Sequence, residues 1–265
     1  MQYALALVVV SLSASVVQAA PEYKSDPFND ADFAESPLIL DVVNPTRGRG
    51  ELSLVYSQSV IDKYTAHKGL HLQFEYAVLD TLGVALSFGY MHGQLTSIVT
   101  DEGGIIGNKV TKYMNDKTAA TQNVNPNVPD YMQITGVADF LAIWRPLYGK
   151  VNVVSELDVN MQLYLMGGVG MNGRRAVTAT VADNPQSPSD YTLAGGGLGE
   201  GGLFGDPKVH ATLGAGIEVF VLDWLTVHGE ARGYLWPETF KFVYGEQSYL
   251  AQYWFVQAGV GFIVF

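Results

Sequence analysis

The chain has 265 residues, a formal net charge of −11 and no cysteine, and is 48% hydrophobic but only 15% charged, against about 25% charged in an ordinary soluble domain. Zero Cys excludes disulfides, thiolate zinc sites and thiol catalysis. The acidic balance excludes a phosphate-binding face of clustered Lys and Arg, so nucleic acid is not an expected partner.

Residues 1–19 read as a signal peptide: an apolar run from Ala4 to Leu12 precedes Val17-Gln18-Ala19, a small-x-Ala cleavage pattern, although no Lys or Arg stands ahead of the run. Residues 20–50 are acidic and contain Pro21, Pro27, Pro37 and Pro45, the composition of an extended periplasmic segment serving as tether, arm or plug. Beyond residue 20 there is no run of about 18 apolar residues, so no transmembrane helix is expected.

From Glu51 the chain alternates with period two. Glu51–Ile61 opens the series. Leu70, Leu72, Phe74, Tyr76 and Val78 then oppose His71, Gln73 and Glu75, and Leu82, Val84, Leu86, Phe88 and Tyr90 oppose Gly83, Ala85, Ser87 and Gly89. Ile134, Ala138, Phe140 and Trp144 oppose Gln133, Thr135, Asp139 and Arg145. Met161, Leu163, Leu165 and Val169 oppose Gln162, Tyr164 and Gly168; Ala211 to Val219 and Leu225 to Leu235 divide in the same way; Tyr253–Phe265 closes the series. That makes eight strands.

The joins decide between a soluble sandwich and a membrane barrel. Two are tight and nearly repeated, VLDTLGV at 78–84 and VLDWLTV at 221–227, each turning at an Asp; a third near 146–157 is moderate. The other four, 62–69, 93–130, 172–208 and 237–252, are longer. Long and short joins alternate in this way in an all-β, eight-stranded antiparallel up-and-down transmembrane β-barrel, with periplasmic turns at one end and extracellular loops at the other. The barrel would occupy 51–265 in the bacterial outer membrane, with its lipids as surroundings and the barrel assembly machinery as partner. The terminal Phe265 is the expected assembly signal, although it falls on the face opposite Phe262 and Val264.

The first hairpins, VVNPTRGRGELSLVYSQSVIDKYTAHKGLHLQFEYAVLDTLGVALSFGY at 42–90, and the central PLYGKVNVVSELDVNMQLYLMGGVGM at 146–171 carry a resemblance. The chain resembles a family of outer-membrane β-barrel proteins known mostly from myxobacteria and relatives. The resemblance implies no catalytic residues, and a role in multi-protein envelope assemblies that include gliding-motility machinery.

Inside the predicted barrel lie Glu75, Asp139, Glu218 and Glu230, with Arg232 as the one base at mid-height and Arg145 near the periplasmic rim. Arg232 is expected to bridge at least two of these carboxylates, with His71, His228 or a tyrosine serving another. Tyr164, Phe220 and Tyr234 would plug the lumen, which speaks against the alternative of a narrow porin-like channel or small-ligand transporter.

Enzymatic candidates are weak. His92 lies near Ser97 and Asp101, but in a long loop of no fixed spacing; His210 stands alone at the outer rim. His67 and His71 have metal-ligand spacing only if helical. Gly197-x-Gly199-x-x-Gly202 lies in a loop rather than between a strand and a helix, and Asp101, Glu102, Asp183 and Asp190 read as solvated carboxylates rather than a Ca²⁺ site. The sequence thus predicts no catalytic residues, cofactor or metal, and a non-enzymatic envelope component that binds other envelope proteins through loops 93–130 and 172–208.

Overall fold

The computed structural model describes residues 46–61, 64–115, 131–154, 157–182, 185–195, 202–242 and 245–264, with the backbone alone at 150–154, 157–159, 240–242 and 245–247. The signal segment, residues 20–45, Gly197, Gly199, Asp183 and Phe265 lie outside these.

The strands are β1 (Gly50–Ser59), β2 (Thr65–Leu79), β3 (Leu82–Leu95), β4 (Tyr131–Val154), β5 (Leu157–Val181), β6 (Tyr191–Gly195), β7 (Lys208–Leu222), β8 (Leu225–Phe242) and β9 (Gly245–Ile263). Two helices, α1 (Ser97–Thr100) and α2 (Ile105–Asn115), lie between β3 and β4. All strand pairs are antiparallel, and β1 pairs with β9 from Glu51↔Ile263 to Ser59↔Phe255, closing an eight-stranded ring from which β6 is excluded. Closure leaves no open edge within the membrane-spanning wall.

Alternation sets the two faces. Leu72 and Phe74 are 52% and 39% exposed, whereas His71, Gln73 and Glu75 between and beside them are nearly inaccessible. The same division runs through β3, β7, β8 and β9, so the outside carries a continuous apolar belt of Leu54, Leu70, Leu86, Phe140, Leu165, Leu213, Val227 and Val260. A belt of this size exposed to water would aggregate; in lipid it is solvated. Outward aromatics mark both rims, Tyr56 and Tyr90 above, Trp144, Trp224 and Phe262 below, the last two stacked at 6.1 Å. The chain is a transmembrane β-barrel of the bacterial outer membrane.

At the periplasmic end the tight turns fall between Leu79 and Leu82 and between Leu222 and Leu225. Asp80 of the first accepts the backbone N–H groups of Thr46 and Arg47 at 3.1 and 3.0 Å, holding the entry into β1.

Four expected joins are corrected: the 172–208 join begins only after Val181, because β5 runs on through its first ten residues. The 62–69 join contracts to 60–64, the 146–157 join to residues 155–156, and the 237–252 join to 243–244, because strands run on through them. Pro146 and Pro237 are tolerated inside β4 and β8: among the described residues β3 pairs with β4 no further than Trp144, and β7 with β8 no further than Leu235. Past those points the strand edge is free, and a missing N–H breaks no ladder.

Ile134, expected to face outward, is 2% exposed and joins the upper core. The register of β4 on β5 slips between Ile134 and Gly136, so Thr135 is an extra residue that breaks the alternation.

Candidate functional site

The lumen holds the buried charges, in two groups rather than around one arginine. In the upper group Arg232, fully buried, places Nη2 2.6 Å from Glu230 Oε1 and Nη1 3.8 Å from Asp139 Oδ2. It also donates to Gln73 Oε1 at 2.8 Å and Ser87 Oγ at 3.3 Å. Tyr164 donates its hydroxyl to Glu230 Oε2 at 2.8 Å, and Thr212 donates to Asp139 Oδ1 at 2.8 Å.

The lower group is organised by Arg145, which the sequence reading puts at the rim. It is 6% exposed, pairs with Glu75, and brings Nε to 4.0 Å from Glu218 Oε2. Its backbone N–H donates to the carbonyl of Thr81 in the tight periplasmic turn at 2.8 Å, so Arg145 stands at the rim and its side chain reaches inward to both carboxylates. Gln162 donates to Glu218 Oε2 at 2.6 Å. Four acids therefore face two bases, and no single arginine carries them all.

Glu51, absent from the predicted set, joins the lower group. Its Oε1 accepts from Ser53 Oγ at 2.7 Å and Thr226 Oγ1 at 3.0 Å, with His228 Nδ1 at 4.0 Å. The alternation that turns Ser53, Val55 and Ser57 inward places Glu51 on the same lumen face. A cavity of about 20 Å³, enough for a water, lies beside Glu51, Glu75, Arg145 and Glu218.

The buried histidines make contacts within the barrel. His210 Nε2 faces Asp139 Oδ1 at 2.7 Å, Asn172 Nδ2 lies 3.3 Å from its Nδ1, and its ring meets Tyr234 edge-on at 4.9 Å. His71 Nε2 lies 3.0 Å from Ser57 Oγ, a Ser–His contact that the sequence did not signal, but both are fully buried and no acid partners His71 Nδ1. His67 Nε2 accepts the N–H of Ile134 at 3.0 Å, across the stretch where β3 and β4 no longer pair.

Above the charges the lumen is apolar. Met91, Ile134, Val137, Tyr234, Trp236, Ala251 and Phe255 pack into one cluster. Of the expected plug, Tyr164, Phe220 and Tyr234 are all buried. Over the extracellular mouth Arg174, also buried, pairs with both Asp206 and Glu238, and Trp236 Nε1 donates to Glu238 Oε2 at 3.0 Å.

The long loops fold together. Val99 of α1 and Ile106, Val110 and Tyr113 of α2 pack against Tyr131 of β4 and Ala179 and Val181 of β5. Tyr191 of β6 donates its hydroxyl to the Thr100 carbonyl at 2.8 Å, binding one loop to the other. Its phenol is raised above the ordinary value, first by burial and then by the nearby Asp101 carboxylate. Ser97 and Asp101 are exposed here, and the nearest side-chain partner of the His92 ring is Gln94 Nε2 at 3.4 Å. Asp190 is spent on a turn, accepting the Ser187 N–H at 2.8 Å.

Neither a family model nor a curated protein matches the sequence. Among solved structures the chain is similar to the N-terminal β-barrel domain of Pseudomonas aeruginosa OprF, at 11% identity over 82% of this chain and 98% of that one, with a TM-score of 0.37. It is similar to Neisserial surface protein A, at 8% identity over 82% and 96% of the two chains and a TM-score of 0.40. It is also similar to Ail, the attachment invasion locus protein of Yersinia pestis, at 12% identity over 82% and 99% and a TM-score of 0.33.

Proposed function

We propose that this barrel is a non-enzymatic structural and recognition component of the cell envelope, which presents an extracellular platform to other envelope proteins. The observation that carries the reading is the shared core of the two long loops, Val99, Ile106 and Val110 against Tyr131, Ala179 and Val181. Loops that only connect strands have no need of a common core; a preorganised surface lowers the ordering cost of binding. The lumen supports the same reading, since its cross-section is occupied by paired charges below and an apolar cluster above. An enzyme is disfavoured because His92, Ser97 and Asp101 form no contact with one another.

The test replaces residues 97–115 by a flexible linker in the full chain. Envelope proteins that co-purify with the native barrel after cross-linking should be lost, while heat-modifiable migration of the barrel persists. Unchanged co-purification overturns the reading, and steady conductance of the unaltered protein in planar bilayers replaces it with a channel.

A further inference from the structure

The outward face of the barrel wall carries one exposed charge. Among the described side chains of the strands, every other Asp, Glu, Lys and Arg is buried or half-buried, and Lys68 of β2 alone is both charged and exposed. It forms no ion pair among the described residues. A lysine on the lipid face is costly at the bilayer midplane and nearly without cost at the interface, so its height decides its role.

Register gives that height. On β3 the lower rim is Leu82, which pairs with Trp144, and His92 stands ten residues further up the strand. At about 3.3 Å per residue and a tilt of about 40°, the rise is about 25 Å, the height of the apolar band of an outer-membrane barrel. Lys68 is the register partner of His92, and Gln58 of β1 is the partner of Lys68. These three residues therefore form a row at the upper edge of the band. Directly beneath it runs the row of Tyr56, Leu70 and Tyr90, whose two aromatics belong to the upper rim. Aromatic rims sit at headgroup level, so the row above them faces headgroups rather than acyl chains.

The row is a set of donors. Gln58, Lys68 and His92 are all exposed on the outer face, and directly opposed side chains on neighbouring strands stand about 5 Å apart at Cβ. Two hydrogen bonds orient the neutral members. The Tyr56 hydroxyl donates to Gln58 Oε1 at 3.5 Å, which leaves Gln58 its amide N–H groups to donate. Gln94 donates from Nε2 to His92 Nε2 at 3.4 Å, which places the imidazole proton on Nδ1 and makes that nitrogen a donor. An ammonium flanked by an amide and an imidazole N–H, with no carboxylate in the row, complements an anion that has several acceptor oxygens. At this height on a membrane-embedded wall the neighbour is lipid, and the anionic group of a lipid headgroup is its phosphate.

We propose that Gln58, Lys68 and His92 hold the phosphate of an outer-leaflet lipid headgroup, with the acyl chains of that lipid against the apolar wall below. Lys68 supplies the charge, and its two neighbours supply directional hydrogen bonds. The site lies on the wall rather than on the loops, and stands apart from the recognition role of the platform.

The test titrates diphosphoryl lipid A into the full-length protein folded in detergent and counts retained lipid by native mass spectrometry. One lipid should stay bound per barrel, and the same lipid stripped of its phosphates should bind at least about fivefold more weakly. Lys68→Gln should weaken retention of the phosphorylated lipid by about fivefold or more, the loss of one lysine's attraction to an anionic surface, and Lys68→Arg should preserve it. Gln58→Leu and His92→Phe remove neutral donors, and each should weaken retention by about two- to tenfold. Lys112→Gln takes an exposed lysine from α2 instead and should leave retention unchanged. All five substitutions are at exposed positions, and heat-modifiable migration of each variant verifies its folding.

Equal losses from Lys68→Gln and Lys112→Gln overturn the proposal in favour of unspecific attraction between charges. Equal retention of the two lipids overturns it as well, since the phosphate is then not what is held. Displacement of the lipid by inorganic phosphate, but not by chloride at the same ionic strength, overturns it in favour of a soluble anion. Retention unmoved by both Gln58→Leu and His92→Phe overturns the three-donor row.

Discussion

The phenol ring of Tyr164 lies across the strand from Gly216, its register partner, and there hydrogen-bonds Glu230. A β-carbon on Gly216 would stand 2.4 Å from Cζ of that ring. The glycine is what lets the ring lie flat over the wall and deliver its hydroxyl to the charge cluster. His71 over Gly89 and His228 over Gly259 repeat the arrangement, each β-carbon falling 2.2 Å from a ring nitrogen.

Gly216→Ala should therefore displace the phenol and break its bond to Glu230, lowering stability by about 1–3 kcal/mol as overpacking does. The readout is the temperature at which the compact gel band of the folded barrel converts to the unfolded one. Gly229→Ala is the control: it faces outward, and its β-carbon would meet nothing nearer than the Gln257 carbonyl at 4.0 Å. Equal shifts for the two variants would show that the ring is not held by the glycine.

Arg232→Met leaves Glu230 and Asp139 in the lumen without their common cation. Breaking a buried pair by removing one partner costs about 3–5 kcal/mol, so the same gel transition should move to much lower temperature. Adding Glu230→Gln should restore part of the loss, because the remaining unpaired charge is then reduced to Asp139, which keeps Thr212 and His210. A stable Arg232→Met variant that conducts ions in bilayers would show the network to be a gate.

These two sites differ in how far the sequence discloses them. Alternation identifies Glu75, Asp139, Glu218, Glu230 and Arg232 as inward, because period two is a local property that needs no knowledge of neighbours. Which acid meets which base depends on register, a non-local quantity, so alternation alone does not assign Glu75 and Glu218 to Arg145 rather than to Arg232. The joins at 146–157 and 237–252 are overestimated for a related reason: whether a strand runs on through Pro146 or Pro237 depends on whether its edge there is paired, and that edge belongs to another strand. Ile134 turns on a single extra residue, Thr135, that no propensity marks. The platform was the least legible part, since its core joins residues as far apart as Val99 and Val181 through short, irregular elements.

Arg174 ties the turn at Gly202–Phe204 to the barrel through Asp206, and ties β8 through Glu238. Asp206 has φ +39, the only non-glycine residue with positive φ among the described residues, a conformation held against its own preference. Glu238→Gln should keep the Trp236 indole contact but weaken the pair to Arg174, whereas Arg174→Met should free both carboxylates. The expected order of trypsin or proteinase K cleavage near residues 202–207 is wild type slowest, Glu238→Gln intermediate, Arg174→Met fastest. Identical cleavage rates would mean the ion pairs do not restrain this turn.

The platform should be alkali-sensitive through Tyr191. Its hydroxyl donates to the Thr100 carbonyl, and burial together with Asp101 raises the phenol above its unfolded value of 10.0. A group whose folded value is raised contributes stability that is complete below its unfolded value. That contribution declines as pH rises past the unfolded value and through the folded one, because ionisation removes the donor and places a negative charge near Asp101. Tyr191→Phe should therefore lower platform stability by about 1 kcal/mol at neutral pH, the worth of one hydrogen bond. Above about pH 10 the wild type should lose resistance to loop proteolysis, while the Phe variant, lacking the ionisable hydroxyl, declines less steeply. The two curves should converge at the alkaline end, with Tyr131 and Tyr249, also raised by burial, supplying the decline they share. Parallel curves across the whole range would show that Tyr191 does not couple the two loops.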